Sequence, residues 1–242
     1  MKGKLIAIEG TDCSGKETQT NLLIKRLREE GYQVQNFSFP NYNSPTGKII
    51  GGDYLGKEYI GPSIFEEGPT NVDPKVASMY YAADRKYNID KILFLLENEY
   101  NVILDRYIYS NMAHQGGKIK DEKERIAMYD FLEKLEFDLL ELPKPDITIF
   151  LHMPHEVSEK LKEIREEAPD GHEKDKNHLI MAEKSYLELA QRYNFEIIEC
   201  AENGNPKTRE EINEKVYTKV KKILKWILCS LFSILKWWYK WK

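Results

Sequence analysis

"GTDCSGKETQ", residues 10–19, decides the fold. Gly10, Gly15 and Lys16 have the spacing of a loop that grips phosphate. The residues before it, "KLIAIE", form a short apolar run that suits a buried parallel strand. After it, Leu22, Leu23 and Leu27 share one face of a helix that Gly31 ends. A strand, a glycine turn and a helix make an anion site. The N–H groups of Thr11, Asp12, Cys13, Ser14, Gly15 and Lys16 can converge on one phosphate, and the helix N-terminus adds partial positive charge. The two glycines permit the positive φ and close approach this needs. A chance glycine pair on a helix cap is the bland reading, and the strand and helix on either side argue against it.

Glu17 departs from the pattern, because that position normally carries Ser or Thr. A hydroxyl there ligates Mg²⁺, and carboxylate is also a good hard ligand. Glu17 therefore has three readings. It binds the ion directly or through water; it turns outward and leaves Thr18 or water to substitute; or it repels the phosphates and cripples the loop. Both glycines and the lysine are retained, which favours a working loop.

The 242 residues, 41% hydrophobic, suffice for one sizeable core or two small domains. No linker or internal repeat stands out, so one α/β domain with insertions is expected. A formal charge of -4 gives no reason to expect a nucleic-acid partner. Cys13, Cys200 and Cys229 are far apart and lack metal-ligand spacing, which fits a reduced, cytoplasmic setting. "MKGKLIAIEG" reads as a strand and not as a signal peptide, because Glu9 interrupts it early.

Further strands are expected in "QVQNFSFP", "NVILDR", "DITIFLHMP" and "FEIIEC". Helices are expected from about Asp73 to Glu99, with Asp73 as cap and Pro74 at the first turn, and at about 121–137, 154–166 and 175–193. This alternation implies a five-stranded parallel sheet with helices on both faces. Ligands of such sheets sit beyond the strands' carboxyl ends.

Three more stretches fall there. In "ILDRYIYSNMAHQGGK", Asp105 and Arg106 leave the third strand together. Arg106 suits bidentate phosphate contact and Asp105 suits magnesium; alone, the pair reads as a surface ion pair. In "MYYAADRKYN", Tyr81 and Arg85 share a helix face. An aromatic there can stack on a base and the arginine can donate to a carbonyl. Taken alone, they read as a core tyrosine beside a solvent-facing arginine. "EIREEAPDGHEKDKN" is a charged flap at about 164–177, whose Arg165, Lys174 and Lys176 could close over developing negative charge. A charge run by itself is a solvated surface.

Together these pieces resemble the thymidylate kinase family of P-loop nucleoside monophosphate kinases, from about Lys4 to about Val220. The residues that carry it are "EGTDCSGKETQ", "FPNY", "YYAADR", "DRYIYSNMAHQGG", "PDITIFLHMP" and "GHEKDKN…YLELA". The resemblance implies a P-loop NTPase fold over residues 1–220 and phosphorylation of dTMP by ATP with Mg²⁺. It implies that Lys16 grips the ATP phosphates and that Asp12 contacts the 3′-hydroxyl of dTMP. Arg106 would hold the acceptor phosphate and Asp105 would help place magnesium. Tyr81 would stack on thymine, Arg85 would read its carbonyl and Asn111 would face its N3. Tyr42 would lie near a phosphate contact, Lys174 would be a flap cation, and the protein would be a homodimer.

Some positions differ from other members. Cys13 stands where some carry a loop arginine. His114 stands where some use a tyrosine against a ribose 2′-hydroxyl. His152 stands where an acidic residue often ends strand four.

Residues 221–242, "KKILKWILCSLFSILKWWYKWK", have no counterpart in the family. On a helix at ~100° per residue, Lys222, Lys225, Cys229, Ser233, Lys236 and Lys240 form one stripe, and the other faces are mostly Ile, Leu, Phe, Trp and Tyr. The charge-free stretch, Trp226 to Leu235, is far short of the ~20 residues that span a bilayer. The pattern suits a helix lying on a membrane surface; packing on the core or a partner subunit, or a non-native end, are the other readings. Two other functions stay open at this stage: another P-loop nucleotide or deoxynucleoside kinase, and a non-catalytic nucleotide-binding protein tethered by its tail.

Overall fold

A computed structural model describes residues 2–162 and 175–239, the stretch 225–239 by its backbone alone. Five parallel strands, β1 (Leu5–Gly10), β2 (Val34–Ser38), β3 (Asn101–Asp105), β4 (Ile147–His152) and β5 (Glu196–Glu199), form one sheet in the order β2-β3-β1-β4-β5. This is the expected α/β arrangement.

Every residue of β1 is buried, because both faces of this central strand are covered. Leu5 and Ala7 enter a core under α3 (Pro74–Glu97), α4 (Ile108–Gly116), α5 (Glu122–Glu133) and α7 (Lys176–Arg192). Ile6 and Ile8 point the other way, into a core shared with α1 (Lys16–Glu29), α6 (His155–Lys162) and α8 (Arg209–Tyr239). The register then aligns the strand ends: Ile8 and Ser38 both pair with Asp105, and Gly10 pairs with Leu151. The phosphate loop, the "FPNY" turn and the Asp105-Arg106 pair therefore emerge along one edge.

Asp73 caps α3 as its sequence implies, accepting from the N–H groups of Lys75 and Val76. Two helical segments differ from expectation. Residues 108–116 form α4, which the sequence does not announce, because all of α4 except His114 is buried and no amphipathic stripe results. Residues 45–54 form a short helix, α2 (Pro45–Ile49), that continues as a π turn over Ile50–Tyr54. A second π turn, Lys134–Leu139, follows α5 and carries Glu136 into the interior.

α8 is one continuous helix through the expected boundary near residue 220. Ile212, Val216, Val220 and Leu224, four apart, bury its inner stripe. Among the described residues, no helix is long and apolar enough to cross a membrane.

Candidate active site

The phosphate loop is pinned at one side and open at the other. Thr11 Oγ1 donates to the carbonyl of Met153 at 2.8 Å and accepts the Met153 N–H at 2.9 Å, which ties the loop to the end of β4. Gly10 is required by contact: a Cβ there would lie 2.5 Å from Ser14 Oγ and 2.9 Å from the carbonyl of Leu151. Gly15 takes φ 73° as the N-cap of α1, and no side chain caps that helix. Its first N–H groups are thus left for an anion. Cys13 also adopts a left-handed φ of 56°, a conformation unusual for a residue with a Cβ.

Lys16 Nζ lies 3.2 Å from the carbonyls of both Gly10 and Thr11, folded back over its own loop. Burial and the nearby Arg106 charge lower its pKa to about 8, against the opposing pull of Asp105, Asp12 and Glu9. Glu17 is exposed in the first turn of α1, where its carboxylate complements the helix dipole. It lines the same open groove as Lys16, Thr18, Asp105 and Arg106. Glu17, Thr18 and Asp105 offer the hard oxygen donors that Mg²⁺ takes, and two carboxylates suffice when phosphates complete the shell. Among the described residues, no cluster of three or more His, Cys, Asp or Glu side chains could hold a metal.

Beside this groove lies a second cavity. Asp12, Phe39, Pro40, Tyr42 and Arg106 line both spaces. The second is completed by Tyr81, Arg85, Tyr107, Asn111, His114 and Gln115, among others. Every described residue expected to hold an acceptor is therefore gathered in one place.

Arg106 sits at φ 63° just after β3. Its Nη1 is 3.4 Å from Ser110 Oγ and 3.4 Å from the Tyr186 hydroxyl, and its Nη2 is 3.9 Å from Asp12. The feature the sequence reading missed is Glu9. This fully buried carboxylate accepts the Tyr107 N–H at 2.9 Å and the Ser110 hydroxyl. Burial pushes its carboxyl pKa up, against the hydrogen bonds from Ser110 and Tyr107 and the charges of Arg106 and Lys16. An acid at the end of an apolar strand was the available signal. Asp12 shows the opposite balance. Burial resists its ionisation, but Lys16, Arg106 and Lys162 together hold its carboxyl below the usual range. Lys162 Nζ is 3.0 Å from Asp12 Oδ2.

Arg85 is buried at 2% exposure, which corrects its reading as a solvent-facing arginine. Glu136 takes up its Nε and, at 2.6 Å, its Nη2. Asn111 Nδ2 donates to the same carboxylate at 3.2 Å. Asn111 Oδ1 stays buried without a partner, as do both polar atoms of the Gln115 side chain. Unsatisfied buried amides at a cavity wall are costly unless something arrives to pair them. Gln115 is thus a second residue the sequence reading missed. Asp84, also buried, anchors the "FPNY" turn and the start of α2 by accepting from the Asn41 N–H, Ser44 and Thr46.

The flap is only partly described. Arg165 and Lys174 lie outside the described residues. Lys176 pairs with Glu159 at 2.7 Å, at the start of α7. His152 is bracketed by Glu183 and Glu199, each at 2.8 Å, so carboxylates from α7 and β5 surround the strand end where the family often has its own acid. The pair outweighs burial and raises the imidazole pKa.

A family profile described as thymidylate kinase matches residues 8–212. A probable thymidylate kinase of Methanocaldococcus jannaschii is 32% identical over 218 residues, 90% of this chain and 96% of that protein. A thymidylate kinase of Prochlorococcus marinus is 32% identical over 206 residues, covering 84% and 91% of the two chains. The solved thymidylate kinase from Candida albicans superposes with a TM-score of 0.67 at 27% identity, covering 91% of this chain and 92% of that one.

The lysine's lowered pKa has a direct consequence. The free protein disfavours charged Lys16, so that cost to stability fades as pH rises from about 8 toward 10.5. A bound polyphosphate favours the charged form. At pH 8.5–9, ATP binding is therefore expected to take up a sizeable fraction of a proton, read calorimetrically in buffers of different ionisation enthalpy. The uptake vanishes near pH 6.5 and in Lys16→Met; equal heats in all buffers at pH 9 would refute it.

Proposed function

Because the chain belongs to the thymidylate kinase family, we propose that it transfers the γ-phosphate of ATP to dTMP, giving dTDP and ADP. The observation that carries this is the pair of spaces meeting at Asp12 and Arg106, one over the phosphate loop and one lined by unsatisfied amides and an arginine. Two anions laid in them meet end to end. A phosphate oxygen of dTMP attacks the γ-phosphorus, the bond to the β-phosphate oxygen breaks, and ADP leaves with the electron pair. Such a transfer depends on positioning and charge neutralisation.

In this reading Lys16 exchanges the carbonyls of Gly10 and Thr11 for ATP phosphate oxygens. Arg106 holds the dTMP phosphate, with Tyr42 close to it. Asp12 accepts the 3′-hydroxyl. Tyr81 stacks on the base, Arg85 donates to its O4, and Asn111 Oδ1 accepts N3–H, with Gln115 beside it. Asp105 and Glu17 are the carboxylates that would hold Mg²⁺, which would supply charge neutralisation to the ATP phosphates. Glu136 keeps Arg85 charged and in place within the cavity.

The test is a kinase panel of dTMP, dUMP, UMP, dCMP, dAMP and dGMP with ATP and Mg²⁺. The highest kcat/KM is expected for dTMP, with turnover abolished by chelation. A larger value for another monophosphate would move the protein to a different nucleotide kinase, and binding without turnover would make it a non-catalytic nucleotide binder.

Two associations complete the proposal. The outer face of α3 presents Val76, Met79, Tyr87 and Phe94, from 46% to 64% exposed, beside a groove that Leu135 and Leu140 also line. A patch of this kind suits a second copy of the chain. Sedimentation is expected at twice 28.4 kDa, falling to the single mass in Met79→Asp/Tyr87→Asp; a single mass for the unaltered chain removes the dimer.

The second association concerns the tail. No acid follows Glu214, whereas eight lysines do, in a chain of net charge -4. With Trp among them, these residues suit an anionic membrane surface. The full chain is expected to cosediment with phosphatidylserine-containing vesicles but not with phosphatidylcholine alone, and residues 1–224 with neither. Equal recovery of both proteins with the anionic vesicles would defeat this reading.

A further inference from the structure

We propose that Glu136 decides which pyrimidine the acceptor cavity takes. From behind the cavity wall it fixes the Asn111 amide and the Arg85 guanidinium in one arrangement, which admits a base with an N3–H and a 4-oxo group and turns away a 4-amino base such as cytosine. The inference rests on the kinase reading above and deepens it. Glu136 is a positioning residue, acting through two side chains that line the cavity.

Glu136 enters the interior on the π turn Lys134–Leu139 and has no solvent exposure. Arg85, 51 positions away on α3, donates to it through Nε and Nη2. Asn111, 25 positions away on α4, donates through Nδ2 at 3.2 Å. Both side chains line the acceptor cavity and are buried. One carboxylate from a third element thus ties together two polar groups of the cavity wall. A buried ion pair alone would need only Arg85, and the bond from Asn111 is what extends the cluster to the amide.

An amide has one donating and one accepting end. Asn111 Nδ2 also lies 3.4 Å from the carbonyl of Ser78, so two acceptors face it. Turning the amide over would set Oδ1 against a carboxylate oxygen and a carbonyl oxygen, away from water. Oδ1 is therefore held on the other side, buried and without a protein partner, where it calls for a donor. The guanidinium offers donors alone. The wall thus presents an acceptor from Asn111 and donors from Arg85. The N3–H and O4 of thymine or uracil complement both. Cytosine opposes both, its N3 lone pair to Oδ1 and its amino group to the guanidinium. The selection depends on an acceptor-only group at position 136. An amide there would carry hydrogens of its own, and Asn111 could turn over to meet them.

The experiment measures kcat/KM for dTMP and for dCMP, with ATP and Mg²⁺, in the unaltered protein, in Glu136→Gln and in the exchanged pair Asn111→Asp/Glu136→Gln. The unaltered protein is expected to favour dTMP. Glu136→Gln cuts that preference about 10²-fold, chiefly through KM and in part by a gain for dCMP. The exchanged pair keeps the charge of the cluster and returns an acceptor to position 111, so it regains about tenfold or more of the lost preference. Equal falls for dTMP and dCMP in Glu136→Gln would show that Glu136 only supports the fold and would overturn the proposal. An exchanged pair no more selective than Glu136→Gln would do the same, as would an unaltered protein that does not favour dTMP over dCMP. If Glu136→Gln melts early, the exchanged pair decides alone: a preference within about tenfold of the unaltered protein's supports the proposal, and its loss overturns it. Absence of dTMP turnover in the unaltered protein would strike the kinase reading itself, and calorimetric affinities for dTMP and dCMP then read the same preference in the three proteins.

Discussion

A carboxylate buried beneath the phosphate loop sets the geometry of the site. Glu9 has no access to solvent, so its charge or its proton must be matched by protein groups. It is matched by the Tyr107 N–H and the Ser110 hydroxyl, both belonging to the turn and helix that follow β3. Arg106 lies in that turn, in a left-handed conformation that a residue with a side chain adopts only when its surroundings impose it. Through Glu9, the strand that ends in the phosphate loop also fixes where Arg106 stands. Lys16 and Arg106 are thereby brought together by the pairing of adjacent strands β1 and β3 and by the bonds of Glu9 to the turn after β3.

The other cations of the site rest on internal acceptors, either carboxylates or carbonyl oxygens. Asp12 serves Lys162 and Arg106, Glu136 serves Arg85, and Lys16 rests on carbonyl oxygens with its pKa lowered to about 8. Glu136 differs from the other partners, because its two bonds to Arg85 hold the guanidinium in a buried cavity. Breaking such a buried pair by removing one partner costs about 3–5 kcal/mol, which keeps Arg85 fixed whether or not a base is present. Preorganised charge of this kind needs no reorganisation when the reaction begins.

The local features are legible in the sequence. The loop of residues 10–16, the strands, the Asp73 cap and the sheet edge where the motifs gather all follow from short stretches whose chemistry is self-contained. Legibility failed wherever a side chain's meaning depends on a distant partner. Taken alone, Arg85 reads as a surface residue, and although the family resemblance sets it at the base, only the π turn after α5 reveals its buried partner Glu136. Residues 108–116 read as a signature without a shape, because a helix buried nearly all round carries no polar stripe. Asp84 is one more acid on a helix until Asn41 of the "FPNY" turn and Ser44 and Thr46 just after it are seen to bond to it. Lys162 gives no signal in the sequence, and only the approach of α6 to the loop sets its Nζ 3.0 Å from Asp12 Oδ2.

What the sequence by itself determined is the class of fold, the phosphate loop and the family, since each rests on residues close together in the chain with backbone requirements of their own. Only the tertiary structure decided which charges are paired, which amides face a cavity unsatisfied, and which cations converge on Asp12. The reason is physical. A pairing across a hundred or more residues leaves no periodic trace, because it is set by strand register and helix packing, and the energy of a charge depends on the burial that packing creates.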